Sequence, residues 1–213
     1  MYIEKSIDNK LLQRVSKAIG GCNFQHGPWI AGGCARRLYF DKQWIGSDID
    51  IFFKDAESFN LANENLLQLF NKQCKIPVFL PSASGVAKHV SYNSDTYKLY
   101  FYPGYKWSSK PILLTIQCIK KSWATDIQDL LQKFDFSVCQ FVSDSYTVKT
   151  NRQALEDCET NTLRFTGQTL DPRRVLKYCI YGYDPESKII DELLKFRFQN
   201  SLVMASDDEY DFA

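Results

Sequence analysis

The sequence is poor in metal-binding nitrogen and sulfur patterns. It has only two histidines, His26 and His89, and its seven cysteines (residues 22, 34, 74, 118, 139, 158 and 179) form no C-x-x-C pair. Structural zinc needs four such ligands at short, paired spacings, so a zinc fold is not expected. The odd cysteine count and the lack of a signal peptide predict reduced, mostly packed thiols in a cytoplasmic protein. No apolar run approaches the roughly 20 residues that span a bilayer, so a soluble chain without a membrane partner is expected. Net charge is +1, which excludes a polycation that coats nucleic acid. Any RNA or DNA contact must come from a local basic face. No internal repeat or low-complexity tract is present, which excludes a solenoid.

What remains is a chain able to fold around a core. Its 213 residues are 45% hydrophobic and 24% charged, and aromatics reach 15%, a composition that suits a sheet-containing fold. Residues 6–19 carry Ile7, Leu11, Leu12, Val15 and Ile19 at helical spacing, ended by Gly20 and Gly21. "PWIAGG" predicts a short strand entering a glycine turn, "CARRLYF" a helix, and residues 47–54 a strand. A second amphipathic helix is predicted over 56–72, and strands over 96–102 and 111–119, with a surface loop over 80–95. "DIQDLLQKF" predicts a short helix, and "SVCQFVSDSYTVK" a hairpin turning at Ser143, Asp144 and Ser145. Helices over 151–158, 171–183 and 186–199 follow, and the acidic end "ASDDEYDFA" is expected to fray. Strands and helices mix without a regular βαβ period, which predicts an α+β fold with helices on one side of a mixed sheet. The organisation expected is a core over 1–150, then a helical C-terminal segment over 151–213 that completes a cleft.

The chemistry concentrates in "IAGGCARRLYFDKQWIGSDIDIFF", residues 30–53. Asp48 and Asp50, two apart on a strand, project from one face. Like charges held so close repel unless a cation sits between them. A divalent ion with oxygen ligands supplies that compensation, and Mg²⁺ leaves positions open for phosphate oxygens. Gly32 and Gly33 end a strand and open a helix, which offers backbone N–H groups to an anion. Arg36 and Arg37 lie in the first turn of that helix; for both, a solvated helix face is the competing reading. Carboxylates, amides and guanidinium together describe a nucleoside triphosphate site.

On these residues the chain resembles the nucleotidyltransferase superfamily typified by DNA polymerase beta. It is most similar to the head domain of tRNA CCA-adding enzymes and poly(A) polymerases, and to small stand-alone nucleotidyltransferases of phages and large DNA viruses. "DLLQKFDFSVCQF" (129–141) and "LDPRRVLKYCIYGYD" (170–184) resemble two further segments of that family, in the same order. The resemblance implies a polymerase beta-like fold and transfer of AMP or CMP from a nucleoside triphosphate to an acceptor hydroxyl. It implies Mg²⁺ or Mn²⁺ on Asp48 and Asp50, and triphosphate contacts from Gly32, Gly33, Ser47 and Arg36. Asp135 would sit near the ribose; a hairpin brace and a third metal ligand are the other roles open to it. Arg174, Lys177 and Tyr178 would face the nucleotide. Independently, Arg174 and Lys177 are i and i+3, with Tyr178 and Tyr181 placed on their face and Val175, Cys179 and Ile180 on the other. Asp171 and Pro172 fit an N-cap and first helical position.

Two departures from the family stand out. The strand expected to carry a third carboxylate offers Thr115 and Gln117, and Arg37 occupies a place that is usually acidic. The extra positive charge predicts a different phosphate or acceptor contact. The RNA-holding domains of CCA-adding enzymes are not matched, so the acceptor, an RNA (tRNA) 3′ end in the first reading, stays open to a protein or small-molecule hydroxyl. A catalytically silent nucleotide- or RNA-binding module is the remaining class.

Overall fold

The computed structural model describes residues 2–74, 86–101, 111–167 and 169–195. The acidic end, residues 196–199 of the last expected helix, and residues 80–85 of the expected loop lie outside this set. Strand β1 (Ile3–Ser6) leads into helix α1 (Lys10–Ala18), followed by β2 (Trp29–Ala31), α2 (Gly33–Tyr39), β3 (Ile49–Phe53) and α3 (Ala56–Cys74). Strands β4 (Ala87–Val90), β5 (Ser94–Phe101) and β6 (Ile112–Trp123) follow, then α4 (Ile127–Gln132) and a 3-10 turn at Ser137–Cys139. The hairpin β7 (Phe141–Ser143) and β8 (Thr147–Thr150) precedes α5 (Arg152–Glu159), β9 (Thr162–Leu163), α6 (Pro172–Ile180), β10 (Asp184–Pro185) and a final helix over 187–195.

Among the described residues, eight strands form one mixed sheet in the order β1-β8-β7-β2-β3-β6-β5-β4, in which only β3 and β6 run parallel. Alternation decides its faces. Ile49, Ile51 and Phe53 of β3 point with Leu114, Ile116 and Cys118 of β6 into the main core, which α1, α2 and α3 cover with Leu12, Val15, Ala35 and Leu66. The opposite face is not bare, as the sequence predicted. Helix α4 covers part of it with Leu130 and Leu131 against Trp29, Ala31 and Val142. A smaller third core joins Phe136, Val138 and Cys139 to Val175 and Tyr178 of α6 and to Ile189.

The sequence reading contains no β9–β10 pair and places Asp48 on the strand with Asp50, whereas β3 begins only at Ile49; three further elements also differ. Ser6 and Ile7 are not helical: Asn9 caps α1 by accepting from the Leu12 N–H at 3.0 Å, and Ile3–Ser6 pair with β8. A side-chain cap and a ladder together outweigh helical spacing that extends only one residue further. Within the expected surface loop, Ala87–Val90 pair with β5 as an edge strand, all four residues exposed. No face of it is buried, so no hydrophobic alternation announces it. On α6, Val175 and Tyr178 are buried, while Cys179 and Ile180 face solvent.

The C-terminal part is held by polar braces. Buried Asp157 accepts from Ser137 Oγ at 2.5 Å and from Arg164 Nε at 3.0 Å, and Arg164 also pairs with Glu186 at 3.1 Å. The backbone carbonyl of Asp135 accepts from the N–H groups of Thr166 and Gly167 at 2.8 and 3.2 Å. A Cβ at Gly167 would stand 2.9 Å from the Asp135 Cα, so only glycine lets these two backbones meet. Gly167→Ala is expected to lower stability by about 1–3 kcal/mol, read from the urea unfolding midpoint. An unchanged midpoint would show that this contact does not brace the fold.

Candidate active site

The site forms where β2 ends. Gly32 adopts φ 77°, a conformation that side-chain-bearing residues rarely take, and turns the chain from β2 into α2. Its own N–H is spent on the Phe141 carbonyl at 2.9 Å, so it is not the free donor that the sequence suggested. The first helical bond runs from Arg36 N–H to the Gly32 carbonyl at 3.0 Å. Gly33 has nothing within 4 Å of where a Cβ would stand, which leaves open space on that side.

Register places the carboxylates. β2 and β3 pair Ala31 with Asp50, and β3 and β6 pair Asp50 with Gln117. Asp50 thus sits half-buried on the sheet face beneath Gly32, whose missing Cβ would lie 3.8 Å from Asp50 Oδ2. Asp48 lies before β3, in the exposed turn after Gly46 and Ser47, and accepts from Gln117 Nε2 at 3.3 Å. The residue opposite Asp50 is therefore an amide in direct contact with the carboxylate pair. Burial first, and then the neighbouring Asp48, push the Asp50 carboxyl up to about 6 from 3.8, while Lys177 and Arg174 pull it down.

One cleft of about 270 Å³ gathers these groups. Gly32, Gly33, Arg36, Ser47, Asp48 and Asp50 line it from the core side, and Arg174, Lys177 and Tyr178 from α6. Asp171 caps α6 by accepting from the Arg173 N–H at 2.9 Å, with Pro172 in the first turn. Asp135 does not line the cleft. Its carboxylate holds Arg174 through two bonds, one to Nε and one to Nη2 at 2.9 Å. Tyr178 is largely buried, with its hydroxyl 2.8 Å from Cys139 Sγ. Arg36 is turned inward, donating to the Val138 carbonyl at 3.1 Å between the rings of Tyr178 and Tyr183.

Several wall residues were not assigned from sequence: Gly46, Phe134, Cys139, Tyr181 and Arg37. Two of them carried a signal: Arg37, by its charge where the family pattern is acidic, and Tyr181, by its helical spacing on the face of Arg174 and Lys177. Burial pushes the Cys139 thiol up to about 11 and raises that of Cys34 as well, so both stay protonated and act as packing groups. Among the described residues, no group of three or more His, Cys, Asp and Glu side chains is placed to hold a metal. The donor set at the cleft is two carboxylates, all oxygen. That set fits Mg²⁺, which takes one or two carboxylates and fills its other positions with water and substrate phosphate; a soft metal would find no imidazole here, and the Cys139 sulfur in the wall stays protonated.

The fold is that of nucleotidyltransferase head domains. A Thermotoga maritima CCA-adding enzyme complexed with tRNA matches at TM-score 0.50 and 17% identity, over 92% of this chain and 45% of that one. A CCA-adding enzyme complexed with CTP matches at 0.51 and 17%, over 94% and 46%, and an apo CCA-adding enzyme at 0.53 and 17%, over 96% and 50%. The chain thus spans about half the length of these structures. No curated protein matches it. A family model described as Gabija anti-defense 2 family protein matches residues 3–161. With well over half of its length so matched, the chain belongs to the Gabija anti-defense 2 family.

Proposed function

We propose that this protein is a Mg²⁺-dependent nucleotidyltransferase that moves AMP or CMP from a nucleoside triphosphate to the 3′ hydroxyl of an RNA, a tRNA in the first instance. The observation that carries this reading is the pairing, across one cleft, of Asp48 and Asp50 with the braced Arg174 and with Lys177, which has no ion-pair partner among the described residues. Acidic groups for a cation and basic groups for a polyphosphate are what such a transfer needs on opposite walls. The fold shared with CCA-adding enzymes supports the same chemistry.

In the reaction, the acceptor hydroxyl gives its proton to water, its oxygen bonds to the α-phosphorus as the bridging bond to the β-phosphate breaks, and pyrophosphate leaves with the electron pair. When bound, Mg²⁺ supplies charge neutralisation on the phosphates and lowers the cost of ionising the acceptor hydroxyl. Asp48 and Asp50 would hold it. Gln117 keeps the Asp48 carboxylate oriented, and Gly32 and Gly33 leave room for a phosphate to approach the backbone. Arg174 and Lys177 meet the triphosphate, and Asp135 fixes the guanidinium plane of Arg174 so that little order is lost on binding. Tyr178 serves as a packed wall. The protein thus contributes position and charge. Gln117, standing where a third carboxylate would, favours a second reading, a binding module without turnover.

Incubation with Mg²⁺ and each α-labelled nucleoside triphosphate, with and without total tRNA, is expected to put label on RNA. Label on protein would move the acceptor, and no label would favour the silent module. Asp48→Asn is expected to cut transfer by roughly 100-fold or more with an unchanged unfolding midpoint; full turnover would remove the carboxylates from the mechanism. Arg174→Ala is expected to raise the apparent KM for the triphosphate about tenfold, the loss of one charged contact of about 1.4 kcal/mol. An unchanged KM would leave Arg174 only as the partner of Asp135.

The raised Asp50 carboxyl sets a pH dependence. The folded chain holds this proton up to about pH 6 while the unfolded chain releases it near 3.8. Metal-free stability from this group is therefore present below about pH 4 and is lost as pH rises through 6, by at most about 3 kcal/mol. Asp50→Asn is expected to raise the melting temperature of the metal-free protein at pH 8 but not at pH 4, and to abolish stabilisation by millimolar Mg²⁺. A variant that melts like the wild type at both pH values, or still gains from Mg²⁺, would sink the carboxylate–cation reading.

A further inference from the structure

A second cavity, of about 310 Å³, opens beside the first and shares Arg36, Arg37 and Tyr181 with it. The two adjoin along these side chains. The far part of the second is lined by Phe40, Lys42 and Tyr183, and no aspartate or glutamate borders it. Three cations therefore face a hollow without a counter-charge. Arg36, only 8% exposed, donates to the Val138 carbonyl and otherwise lies between rings, 5.6 Å from Tyr178 and 5.3 Å from Tyr183. Arg37 donates to the Gln43 carbonyl at 3.3 Å, and the Lys42 ammonium stands 5.7 Å from the Phe40 ring. Among the described residues, none of the three has a carboxylate within 4 Å, whereas Lys5, Lys120, Lys149, Arg164 and Arg174 each have one.

Like charges so gathered repel, and a partly desolvated guanidinium without a mate is costly. An anion from outside removes both penalties. The rings narrow its identity. Tyr181, half exposed at 52%, and Tyr183 present aromatic faces beside the cations. Phosphate beside cations with a base against an aromatic ring is the pattern of single-stranded nucleic-acid binding. An acidic peptide would use the charges and leave the rings idle. We propose that this second cavity binds a nucleotide unit of a single-stranded nucleic acid, phosphate toward Arg37 and Lys42 and base toward Tyr181, which leads the strand into the first cleft. That the strand acts as acceptor rests on the transfer reading above; that it binds here does not.

The test uses the full chain, a 5′-fluorescent octaribonucleotide followed by anisotropy, and Mg²⁺·ATP followed by calorimetry. Lys42 borders only the second cavity and is exposed, so Lys42→Glu leaves the first cleft and the fold in place. The expected result is oligonucleotide binding by the wild type, weakened about tenfold by Lys42→Glu, with a salt dependence flatter by at least about one ion and unchanged ATP affinity. No binding by the wild type, or binding indifferent to Lys42→Glu, overturns the proposal. Equal loss of oligonucleotide and ATP also overturns it, because the cavity would then be part of the triphosphate site. If the oligonucleotide behaves as expected while ATP fails to bind, this proposal stands and the transfer reading falls.

Discussion

Two carboxylates of like charge, one half-buried and one in the turn before it, face the same cleft. Most of the site's construction follows from holding them there. Asp50 is fixed by two registers at once, against Ala31 on one side and Gln117 on the other, so its backbone cannot drift without breaking sheet pairing. Asp48 is tied less tightly, by one amide contact from Gln117. The penalty for this pair appears in the raised Asp50 carboxyl, and the two cations of α6 offset it only in part. Proton uptake by Asp50 relieves it below about pH 6, and in the proposed reading a divalent cation would do so above that.

Helix α6 brings those cations, and its position depends on a third core distinct from that beneath the sheet. Val175 and Tyr178 pack against Phe136, Val138 and Cys139, and Asp135 grips Arg174 from the adjoining backbone. Arg36 reaches from α2 into the same junction and lies against Tyr178 and Tyr183. The glycine turn, the Asp135–Cys139 segment and α6 are thereby one mechanical unit. This is why three separated sequence segments, each modest alone, describe a single site. It is also why Asp135 acts at one remove from the cleft, through the arginine it holds.

Much of this was legible in the chain. Strands β2, β3, β5, β6 and the β7–β8 hairpin followed from alternation and turn residues, and α3 from apolar periodicity. Two of the elements that escaped share one cause. β1 and β4 are edge strands that bury little or nothing, and their conformation is imposed by a partner far away in sequence. The faces of α6 were misjudged for a related reason. The sequence reading set Tyr178 beside Lys177 on the nucleotide-facing side and Ile180 on the inner side, yet a pocket made by Phe136 and Cys139 largely buries Tyr178 and leaves Ile180 outside.

The sequence by itself determined the composition of the site: two aspartates two apart, a glycine pair before them, and an Asp-Pro helix bearing Arg174 and Lys177. Residue types and local spacing carry that information, because turns, caps and alternation are short-range. Only the tertiary structure decided which groups were already spoken for. It spent the Gly32 N–H on Phe141, turned Arg36 inward, paired Asp135 with Arg174, and gave Arg37 and Lys42 no carboxylate partner among the described residues. Hydrogen bonds and ion pairs are settled between residues far apart in the chain, 102 positions in the case of Arg36 and Val138. No local pattern in the chain encodes them.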